Sequence, residues 1–406
     1  MKHSVKAAIW VSAAISAMVV LSASASASDW PQFLGPNADG TSPITGINKN
    51  WKENPPSELW RVSMKDDGYA GPSVADGRLF IIDRDGDNDV VKAFKLDSGE
   101  LLWQFSYSDG GGANYGYARS TPAVDGGKVY TLSRNGLLHC LNVEDGSKVW
   151  TRDIRADFKG RPPSWQYSYS PRIDGNVLIV QPGGQNAAVA VLNKTTGQTI
   201  WAGGGSDRPG YGAPVIATLS GRKQYVIFTG SGVMGVDAQN GNQLWRQEWR
   251  TPNDVNAATP LVMGQHVYIT SGYGRGGAML RVDRDKVEIV WENKEVQSHF
   301  SSPILYGGFI YATTDPGFLV CLKPETGESV WRQRGFEKGA IAIADGTIIA
   351  LDGRRGEVVM AEATPESYNE LGRFAGLGGQ SWTAPIVADG KLIIRNKSAL
   401  AVYNLQ

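Results

Sequence analysis

Eight residues of this chain share one repeated position: Tyr69, Arg119, Ser168, Tyr211, Ala257, Phe300, Lys338 and Trp382. Each stands three places before the start of a short apolar run, and that start is Pro72, Pro122, Pro171, Pro214, Pro260, Pro303, Ile341 or Pro385. Tyr117, Tyr167, Tyr169, Asn256, His299 and Gln380 crowd the same position. Aromatic faces stack on rings. Arg119 and Lys338 attract an anion such as a carboxylate. Gathered at a concave mouth, such residues form a ligand pocket. The same residues could instead hydrogen-bond to one another and plug the opening. The candidate ligand-binding set is Tyr69, Arg119, Tyr169, Tyr211, Asn256, His299, Lys338 and Trp382.

Other chemistry-bearing residues are sparser. Asp83, Asp85, Asp87 and Asp89 alternate around Gly86, a pattern that can wrap Ca²⁺ in oxygen ligands. Phe94 stands where a twelve-residue calcium loop needs its last acid, and the plainer reading is a solvated hairpin tip. The 4 His are scattered, so no metal cluster follows from their spacing. His299 beside Ser301 and Ser302 is only weakly compatible with a nucleophile arrangement. Cys140 and Cys321 occupy equivalent points of two distant repeats, too far apart for a disulfide, and read as buried free thiols.

These residues are positioned by a repeat, seen most clearly from Phe300 to Gln333. Ile304–Tyr306, Phe309–Ala312, Phe318–Leu322 and Ser329–Gln333 are apolar runs separated by Gly307-Gly308, Asp315-Pro316-Gly317 and Glu325-Thr326-Gly327. The runs are too short for helices and rich in aromatic and β-branched residues, and the Gly and Pro signals close hairpins. Four antiparallel strands in about 35 residues make one propeller blade. The Pro positions recur every 43–50 residues, with one double gap filled at Ile341. That predicts an all-β, eight-bladed propeller of four-stranded antiparallel blades. Trp103, Trp150, Trp201, Trp245, Trp291 and Trp331 close six blades. Gly372 replaces the Trp of the seventh, which makes it the candidate weakest blade. The eighth lacks a strand, and residues 58–62, Glu-Leu-Trp-Arg-Val, supply it from the front of the chain. Closing the ring removes two exposed sheet edges.

The motif Gly317-Phe318-Leu319-Val320-Cys321-Leu322 with Thr326-Gly327 and Val330-Trp331, repeated at Gly136–Leu141 with Asp145-Gly146 and Val149-Trp150, resembles the PQQ-like (pyrroloquinoline quinone-like) propeller repeat. The resemblance covers nearly all of residues 58–405. The family includes quinoprotein dehydrogenases, the propeller lipoprotein of outer-membrane β-barrel assembly, and exported bacterial propellers without assigned activity. Asp29–Pro36 and the Gly212-Ala213-Pro214, Ser301-Ser302-Pro303 and Thr383-Ala384-Pro385 strand starts resemble the last group most. Resemblance to the dehydrogenases implies PQQ and Ca²⁺ at the mouth and oxidation of alcohols or sugars. Thr251-Pro252-Asn253-Asp254-Val255 is similar to those enzymes, but Asn256-Ala257-Ala258-Thr259 departs from their Trp-Asp-Tyr-Asp continuation. The adjacent cysteine pair those enzymes often carry and their long inter-blade insertions are missing as well. Asp254 is the one acid near the mouth positions. The sequence reads as a binding or scaffold module that presents its channel mouth to a small molecule or a protein. The alternative is a PQQ-dependent or carbohydrate-active enzyme using the same pocket.

Lys plus Arg and Asp plus Glu both number 40, so no basic excess points to nucleic acid. The 50 Gly and 13 Trp suit many tight turns and buried rings. Lys2, His3 and Lys6 precede an apolar run, Ala7 to Leu21, and Ala25-Ser26-Ala27 makes an A-x-A cleavage site. Residues 1–27 therefore read as a signal peptide, 28–57 as a lead-in arm and 58–406 as the propeller. No Cys follows the apolar run, which argues against a lipid anchor. A monomeric periplasmic or secreted protein is expected, without a transmembrane segment after signal removal.

Overall fold

The computed structural model describes residues 29–111 and 115–406; the expected signal peptide and its cleavage site lie outside them. The fold is an eight-bladed β-propeller. Blade one is typical: Ser73–Ala75, Arg78–Asp85, Asn88–Lys95 and Leu101–Ser108 form an antiparallel meander from the central channel to the circumference. The first strands are short, three residues in blades one, two, three, five, six and eight. Short inner strands fit because the blades converge there. Asp76 and Gly77, Asp345 and Gly346, and Asp389 and Gly390 all take left-handed φ, as two-residue hairpin turns require.

The core lies between neighbouring blades. Tyr130, Leu138 and Cys140 of blade two pack on Leu178, Val180 and Leu192 of blade three, all with almost no exposure. Each outer Trp reaches across the same kind of seam. The indole N–H of Trp60 donates to Leu96 O at 2.7 Å, Trp103 to Val143 O at 2.7 Å, and Trp150 to Lys194 O at 3.0 Å. Trp201, Trp291 and Trp331 do the same to Ala238 O, Pro324 O and Thr364 O. The turn Gly of the next blade lets the ring in: a Cβ at Gly99 would come within 2.7 Å of Trp60. Trp245 is the exception. Its N–H bonds Gln224 Oε1 of its own blade, and blade five turns through Arg284 where blades one, two, three, four and six place Gly.

The ring closes as expected. Glu58–Ser63 pairs antiparallel with Ala399–Asn404, with Trp60 opposite Val402 and Arg61 opposite Ala401. The front of the chain also does more than the sequence announced. Thr41–Ser42 pairs in parallel with the first strand of blade seven, Ala340–Ala344, which makes that blade five-stranded. Trp51 is 1 % exposed and packs edge-on against Phe374 at 5.6 Å. A Cβ at Gly372 would run into it at 2.6 Å. The arm thus brings a tryptophan to the blade whose own motif lacks one. No helix among the described residues is long and apolar enough to cross a membrane.

Candidate functional site

The loop into each first strand reaches the channel before a Pro, or Ile341 in blade seven, leads it into the strand. All eight residues at the repeated position, Tyr69, Arg119, Ser168, Tyr211, Ala257, Phe300, Lys338 and Trp382, line a single central cavity of about 280 Å³. Its floor is the arm: Trp30, Phe33 and Leu34. Trp30 exchanges backbone hydrogen bonds with Val74 of blade one, Pro31 O accepts from Val124 N of blade two, and Gly40 O accepts from Ile343 N of blade seven. The arm thus spans inner strands around the ring and closes one end of the channel. The result is a cup open at the loop face.

Around the mouth runs an aromatic collar. Tyr69 stacks on Trp382 with centroids 4.9 Å apart, and Phe300 lies 5.1 Å from Trp382 on a tilted plane. Tyr115 packs edge-on against Trp165, and Tyr273 lies against His299 at 4.7 Å. The Lys338 ammonium sits 5.4 Å from the centre of the Trp382 ring, within cation–π range. It is also 3.5 Å from His299 Nδ1, which lies 3.4 Å from Asp315 Oδ2. Arg119 donates to Trp165 O and to Gly116 O. Burial, and then Arg134, pull its guanidinium down to about 10. The Tyr69 hydroxyl accepts from Gln380 Nε2 at 2.8 Å, and burial pushes it up to about 12.

The mouth is tied to the ring closure. Asp66, fully buried, accepts from the backbone N–H of Gly68, Tyr117 and Ala118. Arg395 of blade eight, also buried, donates to Asp66 O and Ala70 O, each at 2.9 Å. This network fixes the two loops that carry Tyr69 and Arg119.

Two members of the expected set are elsewhere. Tyr169 is buried among Tyr167, Leu178 and Val180, and its hydroxyl accepts from Gln181 N. It stands one place after Ser168, so strand-like alternation turns it into the core. Asn256 is buried too; its amide donates to Thr229 O and Trp249 O and so braces a loop. Tyr117 lies under the Arg84 guanidinium, 3.6 Å away. Asp254 accepts from the Ser164 hydroxyl and does not line the cavity.

The Asp83–Asp89 carboxylates do not converge on a cation, and among the described residues no group of three or more His, Cys, Asp or Glu could hold a metal. Asp83 and Asp85 project from one face of their strand, to Lys92 and Lys65. Asp89 pairs across the hairpin with Arg84 on the other face. Period-two alternation separates them, and each has a cation of its own. Cys140 and Cys321 are free and buried, and burial pushes both thiols up to about 11. That disfavours the thiolate and any nucleophilic role.

Missed from the sequence were Tyr115, Trp165 and Tyr273 of the collar and the whole floor. Gly116, and Gly272 with Gly274, flank the two tyrosines and were the available signal. Some of the strained backbone of the chain also lies here. Leu34, Tyr115, Tyr273 and Lys338 all hold left-handed φ, between 50° and 64°, and all line the cup. Each such residue costs on the order of 1–3 kcal/mol, and such strain collects at functional sites.

The cup can hold an organic ligand. It does not fit a PQQ–Ca²⁺ pair. Among the described residues its lining contains no Asp, Glu, Asn or Gln, so none of them offers a carboxylate for the metal beside the quinone or a carboxylate base.

Fold and site together define a PQQ-like β-propeller with a blind central cup. A family model described as outer membrane protein assembly factor BamB matches residues 87–333, and the chain belongs to that family. It is 25 % identical over 368 residues to the BamB of Shewanella oneidensis, covering 75 % of this chain and 89 % of the relative. It is 25 % identical over 336 residues to the Escherichia coli BamB, covering 68 % and 80 %. In fold it is similar to BamB from Moraxella catarrhalis, with TM-score 0.64, 16 % identity and coverage of 86 % of this chain and 98 % of that one. It is equally similar to the quinohemoprotein alcohol dehydrogenase ADHIIG of Pseudomonas putida, with TM-score 0.66, 14 % identity and coverage of 93 % and 80 %.

Proposed function

We propose that this protein is an exported, monomeric binding propeller of the bacterial envelope that engages a small molecule or a protein segment through its channel mouth, without redox chemistry of its own. One observation carries the reading. The loop residues of all eight blades meet around one blind cup, floored by the arm and collared by aromatic rings, and a concave site with apolar walls and a few polar groups is what holds a ligand. The family's description supports it, since an assembly factor binds proteins and a propeller offers a rigid ring for doing so. The likeness to quinohemoprotein dehydrogenases extends to the fold and stops at the cup, whose lining has no acid.

Photoreactive side chains test where the contact lies. One is placed at Tyr273, exposed at the mouth, and one at Ile200, exposed on the circumference of blade three. Irradiation in cells of origin should give adducts, small-molecule or protein, from position 273, and they should vanish in the Trp382→Ala background. Adducts from position 200 alone would reject the mouth as the working face.

A further inference from the structure

We infer that the cup is built for a small amphipathic organic acid, with its carboxylate at Lys338 and a ring or other apolar body lowered toward Trp30 and Leu34. The inference rests on the reading of the mouth as the binding face and narrows it to one ligand chemistry. Three features on different parts of the wall point the same way.

The first is charge. Lys338 is half-buried at the mouth and has no carboxylate partner among the described residues, whereas the half-buried Lys92, Lys194 and Lys391 each have one. Its neighbours are the Trp382 ring and His299. The cup lining contributes no anion to meet it. The Asp315 carboxylate faces His299 from outside the lining. An ammonium held over an indole with no counter-ion attracts an anion into the cup.

The second is the floor. Trp30, Leu34, Pro72, Ile341 and Ile386 are apolar and line the cavity. Water there is readily displaced by a ligand's apolar end, worth about 25 cal/mol per Å² of surface buried.

The third is what the lining omits. Sugars are held by carboxylate and amide side chains that pair their hydroxyls, and burying an unpaired hydroxyl costs at least about 1 kcal/mol. Among the described residues the lining has no Asp, Glu, Asn or Gln, so a sugar would have to pair its hydroxyls with the scattered Ser, Thr and Tyr hydroxyls of the wall, without the bidentate partners that hold a polyol. The volume of about 280 Å³ has room for one ring with a short acid arm.

Trp30, Trp165 and Trp382 line the cup, so occupancy can be read from tryptophan fluorescence. The purified full-length mature protein is titrated with 3-phenylpropionate, with its neutral amide, and with glucuronate. The acid should quench saturably, the amide should bind at least about ten-fold more weakly, and glucuronate should not bind. Lys338→Met should bring the acid down to the amide's affinity, while Lys338→Arg keeps most of the preference; both are checked for native melting. Equal affinity for acid and amide, tighter binding of glucuronate, or no saturable quenching by the acid would overturn the inference. If the acid fails while position 273 still gives mouth adducts, the ligand class is wrong and the mouth reading stands. If both fail, the mouth reading falls with it.

Discussion

Lys338 carries an unusual combination: left-handed backbone, a charge with no carboxylate to neutralise it, and an aromatic ring underneath. Glycine at that position would remove the strain at the cost of the charge. Lys338→Gly should therefore keep or raise the melting temperature, by the equivalent of up to about 1 kcal/mol, while anion binding is lost. A clear drop in melting temperature would show that the conformation is not strained.

A second residue-scale effect sits under the neighbouring loop. Burial, with the Asp109 carboxylate beside it, pushes Asp89 up to about 7 despite its contact with Arg84. A carboxyl raised in this way favours the fold fully below its unfolded value of about 4, and the contribution is lost as pH rises through 7. The urea midpoint should fall between about pH 4 and pH 7, and Asp89→Asn should flatten that fall. Parallel curves for the two proteins would contradict the assignment. The repeat register was enough to pick all eight cup-lining positions, because the distance from the Pro is a fixed number of residues. It could not separate Ser168 from Tyr169, since adjacent residues on an extended segment face opposite ways.

At the scale of elements, the N-terminal arm has three roles. It floors the cup with Trp30 and Leu34, adds Thr41–Ser42 to blade seven, and brings Trp51 over Gly372. The blades themselves were legible because hairpin turns and the Trp motif are local signals. The arm was not, because it has almost no strand of its own and its meaning lies in contacts roughly 300 residues away, such as the Gly46 N–H on Asp345. It was expected to pack; what it packs against follows from the absence of a Trp at position 372. Trp51→Ala should cost about 3–5 kcal/mol. Trp103→Phe, which keeps an aromatic ring but loses the pyrrole part and its bond to Val143 O, should cost about 1–2 kcal/mol. Guanidinium unfolding of both variants checks the order, and a larger loss for Trp103→Phe would mean that the arm is only a surface decoration.

In the molecule as a whole, one network serves both closure and site. Arg395 of the last blade holds the carbonyls of Asp66 and Ala70, and the Asp66 carboxylate holds the loop before Arg119. Asp66→Ala leaves three backbone N–H groups without their acceptor. It should cost about 3 kcal/mol of stability and should weaken ligand binding, although Asp66 does not line the cup. Unchanged affinity in a destabilised Asp66→Ala protein would separate closure from site. The ring itself was readable because the missing strand and the stray Glu58–Val62 motif match. The closed floor was not, and it is the floor that turns a channel into a cup.

The central claim is that this propeller binds and does not oxidise. It is tested most directly by adding PQQ with and without Ca²⁺ and following melting temperature and dye reduction with alcohols and sugars. A cup without a carboxylate predicts no Ca²⁺-dependent rise in melting temperature and no dye reduction. A Ca²⁺-dependent rise accompanied by dye reduction would contradict the account.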